Sequence, residues 1–123
     1  MYKIRIISNF NAAHQLRNYR GKCERLHGHN WKVEVSVYSK NLNKNGMLMD
    51  FKVLKKKLNK VVDKLDHSYL NELDYFKRNE PTSENIAKYI FKKIKALIKN
   101  KDITLESVSV WETETSCAEY KQP

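Results

Sequence analysis

The hydrophobic periodicity of this 123-residue chain predicts an α+β fold, a two-layer sandwich with two helices on one face of an antiparallel sheet. Three observations carry that reading. Apolar residues alternate with a period of two near both ends of the chain, as half-buried strands do. The middle repeats apolar residues at three- and four-residue steps, as amphipathic helices do. The length suits one domain with one core, covering residues 1–123.

Tyr2, Ile4, Ile6 and Phe10 alternate with Lys3, Arg5 and Asn9, which defines a first strand that ends at His14. Trp31, Val33, Val35 and Val37 alternate with Lys32, Glu34 and Ser36 in a second strand, rich in the β-branched residues that fit a pleated surface. The polar stretch Lys40 to Gly46 then offers a turn into Met47 to Asp50, extending the pair toward a meander.

From Phe51 the period changes. Phe51, Leu54, Leu58, Val61, Val62 and Leu65 form an apolar stripe, and Lys52, Lys55, Lys56 and Lys60 stay outside it. A loop is expected from Asp66 to Glu80. Pro81-Thr82-Ser83-Glu84 supplies a proline, a hydroxyl N-cap and an acid in the first turn, ahead of Ile86, Ile90, Ile94 and Leu97 in a second helix. Ile103 to Trp111 alternates again, and Ser116 to Lys121 pairs with it as the last strand. The order is ββααββ. Trp31, Tyr38, Trp111 and Tyr120 are candidates to cover the sheet face that the helices leave open, a face that often meets another subunit.

Composition excludes several function classes. The glycines, Gly21, Gly28 and Gly46, are scattered singly, so neither a P-loop nor a dinucleotide-binding fingerprint is present. Lys3 and Arg5 interrupt the first apolar stretch, which argues against a secretory leader and for a cytoplasmic location. No apolar run reaches the roughly 18 residues that span a bilayer, so no membrane partner is expected. The 24 Lys and Arg against 14 Asp and Glu leave a formal charge of +10, which suits a polyanion. Most of that excess is lysine on the solvent faces of the two helices, so nucleic acid is not the expected partner.

The chemistry concentrates in one window. Of the four histidines, His14, His27 and His29 fall close together, with Cys23 between them. Imidazoles at i and i+2 on an extended chain project from one face, as His27 and His29 do. His14 ends the strand that runs antiparallel to theirs, so a third nitrogen reaches the same point. Three neutral imidazoles suit zinc, with a fourth position for water or substrate. Cys23 is either a fourth ligand that closes a structural site or a reactive thiol standing off the metal. Asp66-His67 follows the first helix, where a carboxylate can orient or charge the imidazole, although His67 would also complement a helix C-terminus. Glu112, followed by Thr113, ends a strand, where a carboxylate can accept two parallel N–H donors from a planar heterocycle.

These blocks together resemble the 6-pyruvoyl tetrahydropterin synthase family over nearly the whole chain. They are Phe10-Asn11-Ala12-Ala13-His14, Cys23 ahead of His27-Gly28-His29, Leu65-Asp66-His67 with Leu70-Asn71, Pro81-Thr82-Ser83-Glu84-Asn85, and Glu112-Thr113 followed by Ala118 and Tyr120. The resemblance is greatest to the branch that makes 6-carboxy-5,6,7,8-tetrahydropterin from 7,8-dihydroneopterin triphosphate on the way to queuosine. It implies the tunnelling fold, whose subunits join their sheets into a barrel and commonly form a hexamer with active sites between chains. It further implies that His14, His27 and His29 hold zinc, that Cys23 is the base, that Asp66 and His67 complete a proton relay, and that Glu112 with Thr113 binds the pterin. Relatives that make 6-hydroxymethyl-dihydropterin for folate use a glutamate near the His-Gly-His block, a spacing that Glu24 also meets. A pyruvoyl-forming activity is a third branch. A zinc-stabilised module that binds nucleic acid is the competing non-enzymatic reading.

Overall fold

The computed structural model describes residues 1–17, 19–21 and 24–122. Its elements are β1 (Tyr2–His14), β2 (His27–Ser39), α1 (Phe51–Val62), β3 (Ser68–Tyr69), a 3₁₀ turn (Leu70–Glu72), α2 (Asp74–Arg78), α3 (Ser83–Leu97), β4 (Thr104–Thr113) and β5 (Ser116–Tyr120). The strands form one sheet in the order β3-β1-β2-β4-β5. The four long strands pair antiparallel, as the alternation predicts. The sheet is nevertheless mixed, because β3 adds to the edge of β1 in parallel through Ala12 and Ser68. The stretch read as a plain loop, 66–80, therefore contains a strand, a 3₁₀ turn and a short helix, each too brief to show a period.

Both long helices begin at side-chain caps. Asp50 accepts the N–H of Lys52 at the start of α1, and Thr82 accepts that of Asn85 at the start of α3. Met47 to Asp50 is consequently the lead-in to a helix rather than a strand, since Asp50 is committed to capping. The apolar stripes of α1 (Leu54, Leu58, Val61, Val62) and α3 (Ile86, Ala87, Ile90, Phe91, Ile94) are buried. They meet Ile6, Phe10, Val33, Val35, Val108 and Val110 in one hydrophobic cluster. Each Val, Leu, Ile or Phe side chain among them, fully buried, contributes roughly 1.5–3 kcal/mol relative to exposure.

Two of the four aromatics assigned to the open sheet face lie on the helix side instead. Trp31 is fully buried, stacks on Phe10 with 6.0 Å between ring centroids, and donates its indole N–H to the Ala12 carbonyl at 3.1 Å. Period-two geometry requires this, because Trp31 is in phase with Val33 and Val35. Tyr120 pairs with Val108 and packs on Phe91 of α3. Tyr38 and Trp111 do face away from the helices, and Lys32 Nζ sits 4.4 Å from the Trp111 ring centroid.

Candidate functional site

The β1–β2 register places His14 opposite His27 and Ala12 opposite His29. Glu112 is in phase with Val110 and Val108 on β4, so it shares the helix-side face with the three histidines, just beyond Trp31. The result is a cluster of His14, His27, His29 and Glu112 whose ligand atoms all lie within 4.8 Å of one another. His14 is buried, and the other three are partly buried.

Hydrogen bonding behind the rings determines which nitrogen faces inward. His14 Nδ1 lies 2.7 Å from the Pro81 carbonyl, and His27 Nδ1 lies 2.8 Å from that of Arg25. A carbonyl only accepts, so both Nδ1 atoms carry a proton, and in the neutral ring each Nε2 then presents its lone pair. Those two Nε2 atoms face each other at 3.0 Å. Glu112 Oε1 lies 3.0 Å from His14 Nε2 and 3.2 Å from His29 Nε2. His29 Nε2 is buried without a hydrogen-bond partner among the described residues. Burial lowers the basicity of His29 below the ordinary imidazole value, against the opposing pull of Glu112, with His27 and His14 lowering it further. Three converging imidazole nitrogens and a carboxylate oxygen could hold a shared cation, and this donor set fits zinc. Gly28 between the two histidines is not forced by crowding, since an added Cβ would meet only the Ala12 carbonyl oxygen at 3.9 Å.

Asp66 and His67 form a second, separate constellation at the edge of β1. Their side chains pair at 2.9 Å, and the His67 side chain is 80% exposed. Asp66 Oδ1 accepts the N–H of Asn11 at 2.8 Å, and the His67 N–H donates to the Asn11 carbonyl. The Asn11 N–H, and after it His67, hold the Asp66 carboxyl below the usual range, against the effect of desolvation. His67 has φ of 55°, a left-handed conformation that is rare outside glycine. The two backbone bridges to Asn11 maintain it, which projects the imidazole into solvent. His67 and His29 line one shallow hollow of about 480 Å³ together with Asn11, Gly28, Asn30 and Ser68. Thr113 lies on the opposite sheet face from Glu112, beside Trp111, Lys32 and Asn30. Cys23 lies outside the described residues. Cys117 is exposed on the face away from the histidines.

The stretch leaving His14 is held by polar side chains, some of which sequence reasoning passed over. Asn71 pairs with the backbone of Gln15, and Tyr69 Oη donates to Gln15 Oε1 at 3.1 Å. Glu80 accepts the Arg17 backbone N–H and Nε, both at 2.7 Å. Glu24 accepts the Leu16 N–H at 3.3 Å while its own N–H donates to the Leu16 carbonyl at 2.8 Å. Asn71 was legible as part of the family block. The Arg17–Glu80 pair, 63 residues apart in sequence, carried no local signal.

Three histidines and a carboxylate that could hold a metal ion stand at the end of this α+β sandwich, and comparison places the chain in a family. The profile of the 6-pyruvoyl tetrahydropterin synthase family matches residues 3–123. A Synechocystis protein named 6-carboxy-5,6,7,8-tetrahydropterin synthase is 46% identical over 121 residues, covering 94% of this chain and 89% of its own. An Archaeoglobus fulgidus protein, a putative 6-carboxy-5,6,7,8-tetrahydropterin synthase, is 41% identical, with 97% and 95% covered. The solved 6-pyruvoyl tetrahydropterin synthase of Caenorhabditis elegans superposes with a TM-score of 0.86 at 28% identity, covering 99% of this chain and 96% of that one. The chain belongs to the 6-pyruvoyl tetrahydropterin synthase family. It is a pterin synthase enzyme with the tunnelling fold. No helix among the described residues is long and apolar enough to cross a membrane.

Proposed function

We propose that the chain is a zinc-dependent lyase of queuosine biosynthesis. With one water it converts 7,8-dihydroneopterin triphosphate into 6-carboxy-5,6,7,8-tetrahydropterin, acetaldehyde and triphosphate, in the cytoplasm. The observation that carries this reading is the convergence of His14, His27, His29 and Glu112 in a chain whose close relatives bear that enzyme's name.

His14, His27 and His29 would hold the zinc, which when bound supplies Lewis acidity to the hydroxyls of the substrate side chain. Cys23, by resemblance to the family, is the base that takes a proton from the side-chain carbon, acting as its thiolate. His67, oriented by Asp66, moves the second proton. Glu112 receives the ring N–H and exocyclic amine of the pterin, whereas Thr113, on the opposite sheet face, is left without a part in that fork.

Residues 1–123 act as one domain that assembles as a homo-oligomer, a hexamer by resemblance. The exposure of His67, which shares only a shallow surface hollow with His29, supports a site built from more than one chain, in which His67 serves a neighbour's zinc. The folate-type alternative rests on Glu24. Its carboxylate is engaged by the Leu16 N–H and stands 3.8 Å from His27 Nδ1, a bracing position that favours the queuosine reading.

The test is to incubate zinc-loaded protein with 7,8-dihydroneopterin triphosphate, weigh the pterin product and assay acetaldehyde. A 6-carboxy product with stoichiometric acetaldehyde is expected. A 6-hydroxymethyl or 6-pyruvoyl product would move the chain to another branch of the family, and no turnover would overturn the reading.

A further inference from the structure

The His14 imidazole is aimed by a single backbone carbonyl, that of Pro81, at 2.7 Å across a sequence separation of 67. Pro81 precedes α3, and the first bond of that helix runs from the Ile86 N–H to the Thr82 carbonyl, so the Pro81 carbonyl is left free for His14. The Thr82 N–H donates to the Glu80 carbonyl at 2.8 Å, an i to i+2 bond that turns the chain at Pro81, whose ring holds φ near about −65°. Asn85 Nδ2 donates to the same Glu80 carbonyl at 2.9 Å. The backbone on both sides of Pro81 is thus anchored through Glu80.

Glu80 is tied in turn to the segment that carries His14. Its two carboxylate oxygens take the Nε and the backbone N–H of Arg17, three residues beyond His14. The guanidinium continues to the carbonyls of Phe76 and Asn79 on α2 and its exit. A closed circuit results. It runs along the backbone from His14 to Arg17, across the charge-assisted fork to Glu80, through the peptide to Pro81, and back by the carbonyl to His14 Nδ1.

We propose that Arg17 and Glu80 are positioning residues for the metal site, fixing the Pro81 carbonyl so that His14 keeps its proton on Nδ1 and its Nε2 lone pair on the ion. The proposal rests on the metal-binding reading above. Groups that orient ligands from behind typically change metal affinity by about 10- to 100-fold when removed. Glu80→Gln breaks the circuit with little change of volume, because the amide satisfies one Arg17 donor and turns an NH₂ toward the other. Arg17→Lys keeps the charge and loses the planar fork. Lys3→Ala is the control, since it removes a similar 2.7 Å ion pair, with Glu106, that has no route to His14.

Zn²⁺ affinity is measured by competition with a chromophoric chelator, and the His14 tautomer in metal-free protein by ¹⁵N NMR of the imidazoles. Expected are a roughly 10-fold or greater loss of Zn²⁺ affinity in Glu80→Gln and Arg17→Lys, an unchanged Lys3→Ala, and a shift of the His14 proton from Nδ1 toward Nε2 in both clamp variants. A wild-type affinity in the clamp variants with an unmoved tautomer overturns the proposal. Wild-type protein that binds no Zn²⁺ overturns the metal reading instead, and the tautomer comparison then still decides whether the clamp orients His14. Should Glu80→Gln fail to fold, Arg17→Lys carries the same two measurements.

Discussion

The side-chain amide of Asn71 pairs with the backbone of Gln15 as a neighbouring strand would, accepting the Gln15 N–H at 2.9 Å and donating to the Gln15 carbonyl at 2.6 Å. The parallel bridge between β1 and β3 ends at Ala13 and Tyr69, so Asn71 continues edge pairing past the point where two backbones can supply it. Asn71→Ala leaves both partly buried Gln15 groups without that partner, and a loss of about 1–3 kcal/mol follows. Urea denaturation of the metal-free protein measures it. An unchanged midpoint would mean that water replaces the amide without cost.

Asp66 ties pH to the edge of β1. The Asn11 N–H and then His67 hold its folded pKa below the ordinary carboxylate value, and an unfolded chain binds that proton more readily. The resulting stability is therefore fully present above about pH 4–5, where unfolded Asp is ionised, and disappears as pH falls through the depressed folded value. Asp66→Asn should lose this acid limb. Its stability difference from wild type would be constant near neutrality and shrink in acid, and a difference independent of pH would contradict the assignment.

Metal removal separates an enzyme with its own core from a module that zinc folds. The core here comprises α1, α3 and the inward side chains of four strands, with Leu54, Leu58, Ile90 and Val108 fully buried. Chelation should leave the circular dichroism intact and lower the melting temperature, since saturating ligand at 100 times its dissociation constant adds only about 2.7 kcal/mol. Unfolding on chelation would restore the zinc-stabilised module.

The parts of this architecture written in period were legible, and those written in contact were not. Val33, Val35 and Val37 announce β2, and Leu54, Leu58 and Val61 announce α1, because burial of one face imposes a repeat. The same phase that revealed β2 also places Trp31 inward, so the error there came from treating a large aromatic as a surface cover rather than following its parity. β3 has two residues and α2 five, too few for any repeat, and their partners lie far away in sequence. The three histidines were readable from spacing plus strand direction. That Glu112 joins them depends on the β2–β4 register, which shifts at Ser36 and Val37 and cannot be counted from the sequence.

Glu112 presents the sharpest choice. Its Oε1 lies within about 3 Å of His14 Nε2 and His29 Nε2, which suits a fourth ligand, whereas the catalytic reading gives its carboxylate to the pterin. Three histidines complete the protein's share of a catalytic zinc site and leave one position open, so the carboxylate is available for the heterocycle once the ion is bound. Glu112→Ala should then retain one zinc per chain, within a few-fold of wild-type affinity, and raise KM for the pterin triphosphate by tenfold or more, since a forked hydrogen bond to a charged acceptor contributes about 1.5–3 kcal/mol. Glu112→Gln separates charge from shape, because an amide accepts only one of the two pterin donors and turns its own NH₂ to the other. Zinc content by atomic absorption beside steady-state kinetics decides the matter: loss of zinc with an unchanged KM in the remaining loaded fraction would make Glu112 a ligand and return the pterin anchor to another residue.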